Sequence, residues 1–118
     1  MLRWLARALR EADRALRLFA ERVAERYPRS TIVLFGSRAR GDHLPHSDYD
    51  VAVILEAVGD RVGAVEELRR LRPRGLPLDL VVLEVGDLGD PIVEKMLEGC
   101  RVLYDGLGLA EKLPCRRG

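Results

Sequence analysis

The sequence predicts a single α+β domain, an αβ sandwich in which a mixed sheet of about four strands packs against helices. Its 118 residues are enough to bury one hydrophobic core. A hydrophobic content of 47% with 33% charged residues is typical of a folded domain and excludes a disordered chain. Short β-branched apolar runs alternate with longer segments of helical periodicity, which predicts strands and helices in one layered structure.

The chain begins with a predicted amphipathic helix over residues 2–27. Apolar residues recur at helical spacing on one stripe, namely Leu5, Leu9, Ala12, Leu16, Phe19 and Val23. Pro28 ends the helix, because the residue before a proline is driven out of helical geometry. A second apolar stripe flanks the first and consists of Trp4, Ala8, Ala15 and Leu18. It indicates either a wide buried face or a contact with a second subunit or a partner protein.

Four strands and two further helices follow. The strands are predicted at residues 31–35, 50–55, 78–84 and 101–104, each a short apolar run. One helix spans residues 60–71 with three apolar side chains facing inward, Val62, Val65 and Leu68. The other begins at Asp90-Pro91, an N-cap followed by proline at the first helical position, and ends near Gly99. The domain is therefore expected over residues 1–105, followed by a loose C-terminal tail over residues 106–118.

Composition argues against nucleic-acid and membrane partners. The net charge is only +1, and aromatic residues that could stack on bases make up 5% of the chain. No apolar run reaches the roughly 20 residues that span a bilayer, so a cytoplasmic protein is expected. Lys95 and Lys112 are the only lysines beside 18 arginines, and Asn and Gln are absent. This bias suggests a thermophilic source, although a GC-rich genome produces the same composition.

The two cysteines, Cys100 and Cys115, are too few for a disulfide framework and lack the spacing of a metal site. Cys100 adjoins an apolar run and is expected to be a small buried side chain, whereas Cys115 lies in the predicted tail. A bridge between them stays open, because intracellular proteins of hyperthermophiles are often rich in disulfides.

A Gly-Ser pair closes the first predicted strand. Gly36 permits a tight turn and a close approach of backbone to a ligand, and the N–H groups of such a turn favour phosphate oxygens. The Ser37 hydroxyl adds one donor. Arg38 and Arg40 come next, and each could either contact a phosphate or brace a nearby carboxylate. These four residues are the candidate phosphate-binding residues.

Three aspartates complete the candidate site. Asp48 and Asp50 stand two residues apart at the start of a strand, so both carboxylates point to the same face. Asp79 begins the next strand and joins them if the two strands are neighbours. Clustered carboxylates repel one another unless a cation lies between them. An all-oxygen set without cysteine favours Mg²⁺ or Mn²⁺, bound to a triphosphate that the Gly-Ser turn holds.

This combination resembles the minimal nucleotidyltransferases, the MNT-type members of the DNA polymerase β superfamily. Their pattern is Gly-Ser, a short spacer, Asp-x-Asp and a third acidic residue on a later strand; the chain carries GSRARG, SDYD and Asp79 within residues 31–84. The resemblance implies the nucleotidyltransferase fold and nucleotide binding at Gly36, Ser37 and the two arginines. It also implies two Mg²⁺ ions held by Asp48, Asp50 and Asp79. Asp79 would help to deprotonate the acceptor hydroxyl, which attacks the α-phosphate as pyrophosphate leaves.

The resemblance also implies a partner. Minimal members of this family are commonly paired with a small helical protein of the HEPN type in toxin–antitoxin modules. There the nucleotidyltransferase acts as antitoxin and transfers AMP from ATP to a tyrosine of the partner. The base cannot be read from the sequence, so another NTP stays open, as does a homo-oligomer. The alternative function is a non-catalytic nucleotide-binding antitoxin that masks its partner.

Four other side chains near the motifs could carry chemistry. His43 and His46 lie in the connecting loop and are expected to be solvated rather than to bind metal. Tyr49 stands between two aspartates and is expected to face the core. Tyr104 is expected to be similar, with self-modification of its hydroxyl as the alternative.

Overall fold

The computed structural model describes residues 3–42 and 47–116, with the side chains of these residues except 4–9. The elements, in chain order, are α1 (Arg3–Arg26), β1 (Ser30–Phe35), α2 (Gly36–Arg40), β2 (Tyr49–Leu55), α3 (Arg61–Arg69), β3 (Leu78–Glu84), α4 (Pro91–Met96) and β4 (Arg101–Asp105). Two 3₁₀ turns lie at Val85–Gly89 and Ala110–Lys112. None of the described helices is both long and apolar enough to cross a lipid bilayer.

The four strands form one sheet in the order β3-β2-β1-β4. The central strand β1 runs antiparallel to both of its neighbours, whereas β2 and β3 are parallel. Helix α3 makes the crossover that a parallel pair requires. The predicted mixed sheet of four strands with helices packed against it is therefore confirmed.

Helices α1 and α3 cover one face of the sheet. Leu16, Phe19 and Val23 of the first predicted stripe are buried there, against strand residues such as Ile32 and Val53. Of the second stripe, Ala15 is buried but Leu18 is 39% exposed, while Trp4 and Ala8 lie outside the described side chains.

Helix α3 begins after Asp60, whose carboxylate accepts a hydrogen bond from the Gly63 N–H. The predicted inward face is correct for Leu68, which is fully buried, but wrong for Val62, which is 71% exposed. A helix turns about 100° per residue, so successive steps of three residues drift around its axis. Two such steps carry Val62 about 120° away from Leu68 and into solvent.

The second face of the sheet is covered by α4 and the C-terminal residues. The sequence predicted a loose tail from residue 106, but Leu109 and Leu113 are buried beside Leu97 of the α4 turn. They pack there because the strands are apolar on this face too and the short α4 cannot cover it alone. A disulfide joins Cys100, fully buried as predicted, to Cys115, which realises the bridge that the sequence left open.

Candidate functional site

The candidate site lies where three strand ends meet. Because β1 is antiparallel to β2 and β2 is parallel to β3, the end of β1 and the starts of β2 and β3 share one edge of the sheet, here called the rim. In the strand register, Asp50 of β2 lies between Phe35 on one side and Asp79 on the other. Gly36 follows Phe35 directly, so the predicted turn and two of the predicted aspartates occupy neighbouring positions.

The carboxylates of Asp50 and Asp79 interact directly. The pKa of Asp50 is raised by burial, by the charge of Asp79 and a side-chain hydrogen bond with it, and by the charge of Asp48. Arg40 acts in the opposite direction. Asp48 and Asp79 are themselves exposed. The rim therefore holds a partly buried carboxylate beside two exposed ones, an arrangement that a bound cation would stabilise.

The carboxylates also bear on metal binding. Within residues 3–42 and 47–116, no group of three or more histidine, cysteine, aspartate or glutamate side chains is arranged to hold an ion. The structure brings Asp50 and Asp79 together, and the charge of the exposed Asp48 acts on Asp50. Carboxylate oxygens suit Mg²⁺ and Mn²⁺, so the donor chemistry fits these ions, and their binding stays a prediction.

The turn after β1 packs directly on the Asp50 carboxylate. Gly36 has φ +74°, a left-handed conformation, and a Cβ added to it would overlap Asp50 Oδ2. Only glycine satisfies both conditions. Residues from Gly36 onward form the short helix α2, which ends when the N–H groups of Gly41 and Asp42 donate to the Ser37 carbonyl at 2.9 and 3.1 Å. The half-buried Ser37 is thus held at the rim beside the aspartates.

Arg38 points into the protein. Its guanidinium lies 4.0 Å from the ring centroid of Tyr49, and its Nε donates to the Ser47 carbonyl at 2.7 Å. Tyr49, only 2% exposed, faces the core as predicted, and its hydroxyl donates to Asp13 of α1. Burial is the largest cause and this hydrogen bond the second; they raise the pKa of Tyr49 to about 12, although the charge of Arg38 opposes them. Neither of these contacts of Arg38 is with a carboxylate; they tie α2 to the residue before Asp48, and contact of Arg38 with phosphate stays a prediction.

The comparison of the chain with protein families agrees with this geometry. Residues 16–103 match the family described as the nucleotidyltransferase domain. The chain belongs to this family. The match spans most of the sequence and includes the Gly-Ser turn and all three rim aspartates, so the resemblance to nucleotidyltransferases is confirmed. No curated protein matches the chain.

Two solved structures share the fold of this nucleotidyltransferase domain. One is a candidate nucleotidyltransferase from Sulfolobus solfataricus, which is 19% identical, aligns over 89% of this chain and 90% of its own, and has a TM-score of 0.67. The other is a toxin–antitoxin complex with AMP-PNP, which is 21% identical over 75% of this chain and 73% of its own, with a TM-score of 0.51. At these identities the likeness establishes the fold.

Arg40 is the last residue of α2, the short helix that follows the Gly36 turn. Its Nε is 3.4 Å from Asp42 Oδ2, its side chain is exposed, and its charge lowers the pKa of Asp50 against the larger opposing effects. Its aliphatic part lies close to Gly99. Unlike Arg38, it can present its guanidinium to solvent at the rim, so its contact with phosphate stays a prediction.

Three further side chains were named from the sequence, the two loop histidines and Tyr104. His43 and His46 lie outside the described residues. The Tyr104 hydroxyl donates to the Pro28 carbonyl at 2.7 Å. In the strand register Tyr104 lies opposite Ile32, about 13 Å along the strand from Gly36, so it is remote from the rim of its own chain. Asp13 was not singled out by the sequence, because its partner Tyr49 is distant in the chain.

Proposed function

We propose that the chain is a metal-dependent nucleotidyltransferase that transfers AMP from ATP to a hydroxyl of a protein acceptor. The acceptor is a tyrosine of a small helical partner of the HEPN type, and the modification makes this chain an antitoxin. One observation carries the proposal, namely the pairing of Asp50 with Asp79 in strand register while the Gly36 turn packs on the Asp50 carboxylate.

The rim residues fall into two groups with different tasks in this reaction, phosphate binding and metal binding. Gly36 and Ser37 hold the β- and γ-phosphates, and Asp48, Asp50 and Asp79 would hold two Mg²⁺ ions, which when bound neutralise phosphate charge. The Asp79 carboxylate accepts the proton of the acceptor hydroxyl. The hydroxyl oxygen then forms a bond to the α-phosphorus, the bond from that phosphorus to the bridging oxygen breaks, and pyrophosphate leaves.

The choice of an adenine nucleotide and a protein partner is supported by the second structural relative, a toxin–antitoxin complex with AMP-PNP. AMP-PNP is an analogue of ATP, and the complex contains a partner protein. Because the identity is 21%, this likeness supports the choice of nucleotide and partner as a proposal for this chain.

The second candidate function is a non-catalytic antitoxin that binds a nucleotide and masks its partner. The exposure of Leu18 on α1 favours it, because an apolar side chain in solvent suits a contact surface. Masking needs no carboxylates at the rim, so the two functions respond differently when the aspartates are neutralised.

The experiment uses ATP labelled at the α-phosphate, Mg²⁺ and a lysate of the organism that encodes the chain, followed by denaturing protein and nucleic-acid gels. The variants are Asp50→Asn and Asp79→Asn. Glu66→Gln, which neutralises an exposed carboxylate on α3, is the matched control. We expect a labelled protein band with the native chain and the control, and at least a hundredfold less label with either aspartate variant.

Thermal unfolding of each variant shows whether it has folded. Binding of a fluorescent ATP analogue is measured in parallel, which separates binding from transfer. Equal labelling by the native chain and both aspartate variants would contradict catalysis at the rim. Nucleotide binding without label in any lysate fraction, combined with partner binding that survives both substitutions, would establish the masking function instead.

A further inference from the structure

Four arginines lie in the segment that leads from α3 into β3. Arg69, Arg70, Arg72 and Arg74 are all exposed, and residues 69–77 are here called the arginine loop. Within the described part of the chain, no salt bridge involves Arg69, Arg72 or Arg74. Glu67 of α3 has its pKa lowered by Tyr27, Arg26 and, to a smaller extent, Arg70, and it pairs with Arg26. The positive charge of the loop is therefore largely unneutralised.

The arginine loop is anchored to the domain by its other residues. Pro73 and Leu76 are buried, and Arg22 of α1 donates from Nη1 to the Leu71 carbonyl at 3.1 Å. Gly75, with φ +82°, makes a turn that few other residues could make. Apolar side chains facing inward and arginines facing outward give a surface whose shape exists before any ligand binds, which reduces the entropy lost on binding.

The arginine loop ends at the rim. The Tyr49 N–H donates to the Pro77 carbonyl at 2.7 Å, and Asp79 follows two residues later. In the strand order β3-β2-β1, the Gly36 turn belongs to the β1 side of Asp50 and the arginine loop belongs to the β3 side. The loop and Asp79 therefore share one edge of the sheet, although side-chain alternation along β3 directs Asp79 to the face of Val81 and Leu83, whereas α3 covers the face of Leu80 and Val82. An acceptor whose hydroxyl reaches Asp79 contacts the loop if it extends across this edge.

We propose that the arginine loop binds an acidic segment of the protein acceptor, next to the hydroxyl that is modified. The identity of the acceptor rests on the proposed function, but binding of the acidic segment does not require that AMP is transferred to it. Arginine presents planar donors that suit carboxylates. Residues 72–77 line a shallow groove of about 470 Å³ and include no aromatic side chain on which a base could stack, which favours an acidic peptide over single-stranded nucleic acid.

The test measures binding of a fluorescein-labelled peptide, in which glutamates flank one tyrosine, to the full chain by fluorescence anisotropy without nucleotide. The charge-reversed variant is Arg72→Glu with Arg74→Glu, and the milder variant is Arg72→Gln with Arg74→Gln. The control is Arg10→Glu with Arg14→Glu, which makes the same charge change on an exposed part of α1. A peptide with glutamine in place of glutamate and a short single-stranded RNA are measured beside it.

We expect the acidic peptide to bind the native chain and the control with similar affinity. The charge-reversed variant should bind it about tenfold more weakly or worse, and binding to the native chain should weaken as the salt concentration is raised. The milder variant should lie between, which keeps the test valid if charge reversal impairs folding. Equal binding of the glutamine peptide, equal loss in the control, or tighter binding of RNA through the same arginines would overturn the proposal. If peptide binding follows the prediction but no protein is labelled with AMP, the proposed function fails and the docking surface stands.

Discussion

Gly36 is the residue on which the geometry of the rim depends most directly. Its backbone is left-handed, and a Cβ added to it would overlap Asp50 Oδ2, so any side chain there must push that carboxylate away. We expect Gly36→Ala to lower nucleotide transfer at least about tenfold, because the new methyl group displaces Asp50. The backbone conformation alone should reduce the free energy of unfolding by about 1–2 kcal/mol.

Gly41→Ala is the matched control for this substitution. Gly41 has φ +86°, but nothing lies within 4 Å of an added Cβ. Gly41→Ala should lose the same free energy of unfolding, measured with urea, while its nucleotide transfer stays unchanged. Equal transfer by the two alanine variants would show that contact with Asp50 is not what requires Gly36.

The role of Arg38 shows what a sequence leaves open at the scale of a residue. Phosphate contact and bracing were both consistent with an arginine in this turn. The structure adds contacts of Arg38 with Tyr49 and Ser47, which require β1 and β2 to have paired and which no local pattern reveals. A motif therefore identifies the residue, while the fold determines which way its side chain points.

Among the elements, the segment after β4 depends on Asp105. Its carboxylate accepts hydrogen bonds from the Thr31 hydroxyl at 2.8 Å and from the Leu109 and Ala110 N–H groups at 2.8 and 3.0 Å. We expect Asp105→Ala to reduce the free energy of unfolding by about 1–3 kcal/mol at neutral pH, because these donors lose their acceptor. Urea unfolding measures the change.

The same interaction sets a pH dependence. Burial raises the pKa of Asp105, but the hydrogen bonds from Leu109, Ala110 and Thr31 outweigh it, so the pKa lies below the ordinary value of 3.8. The unfolded chain then binds the proton more readily than the folded one, and the stabilisation is complete above pH 3.8 and lost as the pH falls through the folded pKa. The difference between the native chain and Asp105→Ala should therefore narrow in acid, and a constant difference down to the lowest pH would contradict this explanation.

The elements differ in how far the sequence could predict them. The strands were readable because their apolar, β-branched runs are bounded by turn residues. The pairing of Asp50 with Asp79 was predicted only on condition that β2 and β3 are neighbours, since strand order depends on contacts between distant residues. Helix α2 is too short to show a period, and the burial of Leu109 and Leu113 follows from the uncovered second face of the sheet, which no local pattern reveals.

At the scale of the whole molecule, the disulfide connects the end of the described chain to the start of β4. Cys100 and Cys115 are separated by 15 residues. A loop of that size lowers the entropy of the unfolded chain enough to stabilise the fold by about 3 kcal/mol. Reduction should therefore lower the free energy of unfolding by about this amount, measured by urea unfolding with and without reductant.

Cys115→Ala provides the control, because it cannot form the bridge and should be insensitive to reductant. Its stability should equal that of the reduced native chain. Nucleotide transfer at low temperature should be unaffected, since the bridge lies outside the rim residues. A reduced chain as stable as the oxidised one would show that packing of Leu109 and Leu113 alone holds the segment in place.

The strand order also bears on how the protein is made. A nascent chain that has emerged only as far as β2 carries the Gly36 turn and Asp50, but it lacks Asp79. That carboxylate is positioned only when β3 has been synthesised and has paired with β2. The sheet then still needs β4 beside β1 and Leu109 and Leu113 over its second face. The rim is therefore completed only once β3 has been synthesised, and a ribosome-bound fragment that stops before β3 presents the Gly36 turn and Asp50 without their Asp79 neighbour.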